Sequence, residues 1–261
     1  MIEHDLALGT ADGTMHVFVT GPEEEGPHPA VILYMDALGI REELRDMARR
    51  LGTVGYVVLL PDLFYRDGGP AFDPAPLAEG RLDPLMVRLN DELSHARVLA
   101  DTQAMLAWID RAPTCRAPIG TLGYCMGGRH AFAAAGTFPG RVAAMASLHG
   151  GRQVTERPDS PHLLASAIRA ECYFGFADGD PLSPVGHRRA IAAALERQGV
   201  THRLEIYEGA AHGFTFPTRH CFDKPAAERA WERIFALFQR NLQKRQTPIA
   251  DRPRSGSRAN G

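Results

Sequence analysis

The stretch Gly123-Tyr124-Cys125-Met126-Gly127-Gly128 limits what this chain can fold into more than any other. A short apolar run, Ile119 to Leu122, leads into it, and an alanine-rich segment, Ala131 to Ala135, follows it. Strand, sharp turn and helix is the context that holds a reactive side chain at the tip of a strained turn. Glycines are needed on either side, because a Cβ there would collide with the neighbouring strand and helix. The residue at the tip is a cysteine. A thiol ionises more readily than a hydroxyl, and the thiolate is the nucleophile. The helix that begins just after it adds a partial positive charge beside the sulfur. A free cysteine is most often a small buried apolar residue, but the flanking glycines and the strand-to-helix context favour a nucleophile here.

Continuous apolar runs recur along the chain, at Ala30 to Met35, Tyr56 to Leu60, Ala143 to Leu148 and Cys172 to Phe176. Such runs suit strands buried on both faces of a parallel sheet covered by helices. Between the first two, Ile40, Leu44, Met47, Ala48 and Leu51 mark one face of a helix closed by Gly52 and Gly55, so the three elements read as a βαβ unit. Residues 1–20 read as two strands about an Asp12-Gly13 turn, and Leu204 to Tyr207 reads as the last strand. One long helix is expected over about Asp91 to Ile109 and another over Arg188 to Gln198. A final helix shows Trp231, Ile234, Phe235, Phe238 and Leu242 on one face. Residues 67–85, rich in Gly, Pro and Asp, hold no period, and a loop of that length in a compact domain is often functional. The fold class is therefore α/β. One domain over residues 1–245 is expected, followed by a disordered tail over 246–261 that is polar with Pro, Ser and Gly.

Composition narrows the partners. A formal net charge of -2 over 261 residues gives no sign of a nucleic-acid or membrane-surface partner. No apolar run reaches transmembrane length and no signal peptide opens the chain. The four cysteines, Cys115, Cys125, Cys172 and Cys221, have neither metal-ligand spacing nor the density of a disulfide scaffold. A reducing cytoplasm is the expected compartment, and it would keep Cys125 as a thiol.

Three strand ends carry reactive residues in the order Cys125, then Asp178 or Asp180, then His212. Nucleophile, acid, histidine is the chain order of α/β-hydrolases, and in open α/β sheets the site lies beyond the carboxyl ends of the strands. The histidine would take the thiol proton and return it to the leaving group, while the carboxylate fixes its tautomer. Either aspartate could instead cap the following helix or build a turn; Asp180 is favoured.

The chain resembles the dienelactone hydrolase family of α/β-hydrolases. The pieces that carry the resemblance are Gly123-Tyr124-Cys125-Met126-Gly127-Gly128, Pro61-Asp62-Leu63, the strand Tyr173 to Phe176 with its acidic turn, and Ala211-His212-Gly213-Phe214. It extends from about Ala30 to Leu242. It implies one domain with an eight-stranded, mostly parallel sheet, helices on both faces, and neither metal nor organic cofactor. The family acid stands four residues before a proline, which matches Asp180 and Pro184. The oxyanion donors would be the backbone N–H groups of Met126 and Ala37. An acidic residue after the Ala30–Met35 strand, glutamate in the best-known members, helps switch the thiol to thiolate. Here that place holds Asp36, one methylene shorter and reaching roughly 1.5 Å less.

The family member that opens dienelactones holds the substrate carboxylate with two arginines. One stands four residues after the histidine, where this chain has Phe216; Arg219 is three residues further on. The other comes from the 67–85 region, near which Arg81 and Arg88 are available. Arg81 and Arg219 are the candidate substrate-binding residues. The expected function is cofactor-free hydrolysis of a small ester or lactone through a Cys-His-Asp triad and a thioester. The rival readings are a general carboxylesterase and a non-catalytic thiol protein that uses Cys125 as an oxidant sensor.

Overall fold

A computed structural model describes residues 1–243; the tail expected over 246–261 lies outside the described residues. Eight strands form one sheet: β1 (Ile2–Thr10), β2 (Gly13–Gly21), β3 (His28–Tyr34), β4 (Val57–Pro61), β5 (Cys115–Tyr124), β6 (Val142–Leu148), β7 (Glu171–Ala177) and β8 (His202–Tyr207). Their order across the sheet is β1-β2-β4-β3-β5-β6-β7-β8. The β1–β2 hairpin turns at Asp12-Gly13 and lies antiparallel on the β4 edge, and every other pairing is parallel. The apolar runs end up where runs of that kind must: Val31 to Tyr34, Val57 to Leu60 and Phe174 to Ala177 are buried at both faces.

Six α-helices cover the sheet: α1 (Glu42–Gly52), α2 (Pro84–Glu92), α3 (His95–Arg111), α4 (Met126–Thr137), α5 (Val185–Arg197) and α6 (Lys224–Leu242). α1 and α6 are joined by the ion pair Arg50–Glu228, and α3 touches α4. Gly120 turns toward α6, where an added Cβ would stand 3.0 Å from Phe238 and Leu242. Gly123, on the opposite pleat, turns toward α4, so the two helices lie on opposite faces.

Two helical expectations are corrected. The single helix over Asp91 to Ile109 is two helices, because Leu93 and Ser94 leave the α region and Ser94 caps α3, its hydroxyl accepting the Arg97 N–H at 3.3 Å. The 67–85 stretch is not without structure. A short 3-10 turn at Tyr65–Asp67 leads into it, a second lies at Ala75–Glu79, and α2 opens at its end on Asp83, whose carboxylate accepts the Leu85 and Met86 N–H groups at 2.8 and 3.3 Å. Asp83-Pro84 is an N-cap followed by an N1 proline. α2 thereby sits beyond the carboxyl ends of the central strands. Among the described residues no helix is long and apolar enough to cross a membrane.

Among the glycines of the described residues, the closest approach is at the β5–α4 turn. A Cβ on Gly123 would meet the Gly127 carbonyl oxygen at 2.1 Å, and one on Gly127 would meet that of Tyr34 at 2.3 Å. Backbone cannot swing aside as a side-chain tip can. Gly127→Ala is therefore expected to lower stability by about 3 kcal/mol or to abolish soluble folding, whereas Gly140→Ala, which meets nothing within 4 Å, leaves the urea midpoint in place.

Candidate active site

Cys125 occupies the turn between β5 and α4 with φ 51 and ψ -114, a conformation that L residues other than glycine rarely hold. Its backbone is pinned on both sides. The N–H donates to the Leu148 carbonyl at 3.1 Å, and the carbonyl accepts from Gly128 and Gly151 at 3.1 and 3.3 Å. The N–H of Met126, first residue of α4, has no intrahelical acceptor by geometry. Met126 and Ala37 line the same cleft as Cys125, a cavity of about 220 Å³. Leu38 and Leu182 together with Leu82, Met86 and Val87 from the α2 segment make most of its wall apolar.

His212 lies in the loop after β8 and Asp180 in the loop after β7. The imidazole Nδ1 is 2.7 Å from Asp180 Oδ2, and the other carboxylate oxygen accepts the Leu182 N–H at 2.9 Å. Asp178 is exposed and its carboxylate turns to the Gly209 N–H, so the structure brings Asp180 and not Asp178 to the histidine. With Nδ1 committed, Nε2 is buried without a hydrogen-bond partner, and the group whose charge acts most on the ring is the Cys125 sulfur. Burial opposes charge on Cys125, but the adjacent His212 outweighs it and holds the thiol below its ordinary pKa. Burial likewise opposes charge on His212, and the sulfur and Asp180 outweigh it, raising the imidazole. Each group thus favours the charged form of the other.

Asp36, two residues beyond the end of β3, is fully buried. Its carboxylate is held by two guanidinium groups: Arg41 donates twice, at 2.9 and 3.1 Å, and Arg219 donates through Nη2. The Leu38 N–H adds a further bond at 3.1 Å. Asp36 thus bonds arginines and backbone, not the thiol, and bears on Cys125 only through its charge, which opposes the thiolate while Arg219 favours it. Arg219 lines the cleft, with its guanidinium 4.1 Å over the ring of Phe216. The cation from position 219 folds back over the place where the resemblance puts an arginine. The loop that carries it is tied to α1 by Glu43, which accepts both the N–H and the hydroxyl of Thr218 at 2.8 Å. Arg81 is not brought to the site. It lies outside the cleft, mostly exposed, and pairs with Glu79 at 2.9 Å. Arg88 is likewise exposed on the outer side of α2, pairing with Glu92.

Two residues at the site gave no signal in the sequence. Arg129 on α4 lines the cleft. His149, at the end of β6 with φ 38, is fully buried and sets its ring edge-on to that of His212, with centroids 5.0 Å apart. Its Nε2 lies 2.8 Å from the Thr215 hydroxyl. Burial, with the cationic His212 and Arg219 nearby, keeps its pKa well below the ordinary value, so it is a neutral wedge behind the reactive histidine. A conserved-looking motif marks neither residue; what distinguishes them is where the fold buries them.

The sequence profile of the dienelactone hydrolase family matches residues 15–242. A Synechocystis protein provisionally named carboxymethylenebutenolidase is 29% identical over 233 residues, covering 86% of this chain and 91% of its own. A Bradyrhizobium protein provisionally named 2-oxo-3-(5-oxofuran-2-ylidene)propanoate lactonase is 26% identical over 238 residues, covering 90% and 93%. Among solved structures, a Klebsiella pneumoniae protein provisionally named dienelactone hydrolase superposes with a TM-score of 0.81 at 25% identity, over 91% of this chain and 98% of that one. The profile match takes in the cysteine turn, the acidic turn and the histidine loop together, so the chain belongs to the dienelactone hydrolase family and is a hydrolase.

Proposed function

We propose that the protein hydrolyses a small ester or lactone, dienelactone-type compounds first among them, with Cys125 as nucleophile, His212 as general base and acid, and Asp180 as its orienting carboxylate. The observation that carries this reading is the 2.7 Å bond from Asp180 to His212 Nδ1, which leaves Nε2 to the sulfur of a cysteine held at φ 51. The Cys125 thiolate attacks the carbonyl carbon and a C–S bond forms. The oxyanion is received by the N–H groups of Met126 and Ala37, and one such donor typically contributes about 3 kcal/mol to the transition state. On collapse the C–O bond breaks, and His212 gives its proton to the leaving oxygen, which in a lactone stays tethered to the acyl group. Water then gives a proton to His212 and attacks the thioester, the C–S bond breaks, and acid and thiolate are released. Asp36 serves this scheme through Arg219, which it holds beside the sulfur.

Cys125→Ala and His212→Ala are each expected to lower kcat/KM on an enol lactone by about a thousandfold or more, and Asp180→Asn by about a hundredfold or more. Full lactone turnover by Cys125→Ala would overturn the mechanism. The pH dependence follows from the two shifts. The reactive pair exists above the lowered thiol pKa and below the raised imidazole pKa. Alkylation of Cys125 by iodoacetamide should therefore stay fast well below about 8.5, the ordinary thiol value. Turnover should fall both as pH drops through the first pKa and as it rises through the second. Asp36→Ala leaves the buried Arg219 without its counter-ion and Arg41 with Glu43 alone, and is expected to cost about 3–5 kcal/mol in chemical denaturation; a loss under 1 kcal/mol would mean that Asp36 does not hold them.

A further inference from the structure

The machinery above uses the cations on one side of Cys125. On the other side stands Arg129, four residues after the cysteine on α4 and only 6% exposed. Among the described residues its one hydrogen-bond acceptor is the backbone carbonyl of Asn90 on α2, at 2.8 Å, and it forms no ion pair. A guanidinium carries five N–H donors in a planar fork, so most of this fork has no protein partner. The neighbouring charges pair among themselves, Arg152 with Asp91 and Arg157 with Asp159. Arg219, by contrast, is already matched by Asp36.

The position breaks two rules at once. A buried cation without a counter-ion is costly. The N-terminal turns of a helix disfavour positive charge, and the first turn of α4 has no acidic residue to offset it. Burial, with Arg152 alongside, pulls the guanidinium pKa down to about 10. Departures of this kind concentrate at functional sites. Arg129 also stands where a ligand can reach it, since it lines the cleft of Cys125 and a second cavity of about 110 Å³ beside it. It is none of the arginines to which the family resemblance points.

We propose that Arg129 is a specificity-determining residue that binds the carboxylate of an anionic ester or lactone on the α2 side of Cys125. The substrate supplies the counter-ion that the fold withholds. α2 serves both ends of such a molecule, because the Asn90 carbonyl orients the guanidinium while Met86 and Val87 face the carbon skeleton. The word substrate rests on the hydrolase reading; the anion site beside the sulfur does not, and its test needs no turnover.

The test compares two alkylating reagents of similar size, anionic iodoacetate and neutral iodoacetamide, at low ionic strength, with Cys125 modification followed by peptide mapping. In the unaltered protein, iodoacetate should react faster relative to iodoacetamide than it does with a free thiol. Arg129→Gln should slow iodoacetate about ten- to a hundredfold relative to iodoacetamide, whose own rate shifts only as far as losing one positive charge near the sulfur moves the thiol pKa. Equal slowing of both reagents would assign Arg129 to the thiolate instead, and no change in either would remove it from anion binding; each result overturns the proposal. Because the variant discards an unpaired buried charge, its melting temperature should equal or exceed that of the parent protein. Should Arg129→Gln fail to fold, butanoate added to the unaltered protein decides: protection of Cys125 from iodoacetamide supports the site, and its absence overturns it. If enol lactones or esters are turned over, Arg129→Gln should raise KM for a substrate with a free carboxylate, leaving kcat and the neutral analogue unchanged.

Discussion

The close approach of α4 to the ends of β3 and β5 is the constraint on which the site depends. Gly123, Gly127 and Gly128 lack the side chains that would hold the helix off, and the distances a Cβ would have to the Tyr34 and Gly127 carbonyls, 2.3 and 2.1 Å, show that the space is used up. With the helix that close, Met126 at its start and Ala37 in the loop after β3 line one cleft. The same approach forces Cys125 into its left-handed conformation. The backbone bonds to Leu148, Gly128 and Gly151 over-determine that strain, as strained functional residues require.

Charge at the site is arranged in two tiers. Asp36, Arg41, Glu43 and Arg219 form a largely buried and internally balanced set, two carboxylates against two guanidinium groups. Its members hold one another in place, and at the sulfur the charge of Asp36 opposes that of Arg219. Against that quiet background the Cys125–His212 pair and the lone Arg129 are the groups free to respond to a ligand. A buried ion pair is weak evidence for stability but a good device for fixing geometry. Here the geometry fixed is that of the loop carrying Arg219, which Glu43 also grips through Thr218.

The sheet and the three reactive residues were legible in the sequence because each rests on a local signal. Continuous apolar runs mark buried parallel strands, and a glycine-flanked cysteine or a short polar turn at a strand end marks what projects from the sheet. Asp178 and Asp180 could not be told apart by local rules alone, since both fit a turn, and only the fold shows which carboxylate is buried against His212. The helix over Asp91 to Ile109 was misread because its apolar period runs on through Leu93, while the cap at Ser94 is a backbone event that a periodic count passes over. Arg81 is suggested only by its place in the 67–85 stretch, and α2 with its Asp83 cap orders that region differently. Arg129 and His149 left no trace, because an arginine and a histidine become informative only once they are known to be buried and poorly partnered.

On the proposed reading, the exchange of glutamate for aspartate at position 36 changes how the thiol is kept reactive. A carboxylate that reached the sulfur could hold it protonated at rest and release it when substrate arrives. Asp36 is too short for that task and is occupied by Arg41 and Arg219. Its charge still opposes the thiolate, but it delivers Arg219, whose charge favours it. What then decides the resting state is His212, raised by the sulfur and by Asp180. Both shifts favour a thiolate–imidazolium pair without such a switch. A standing thiolate is open to oxidation and to chance electrophiles. An apolar wall of Leu82, Met86 and Val87 over the cleft, with a buried cation that selects for carboxylates, limits which molecules come within reach of the sulfur.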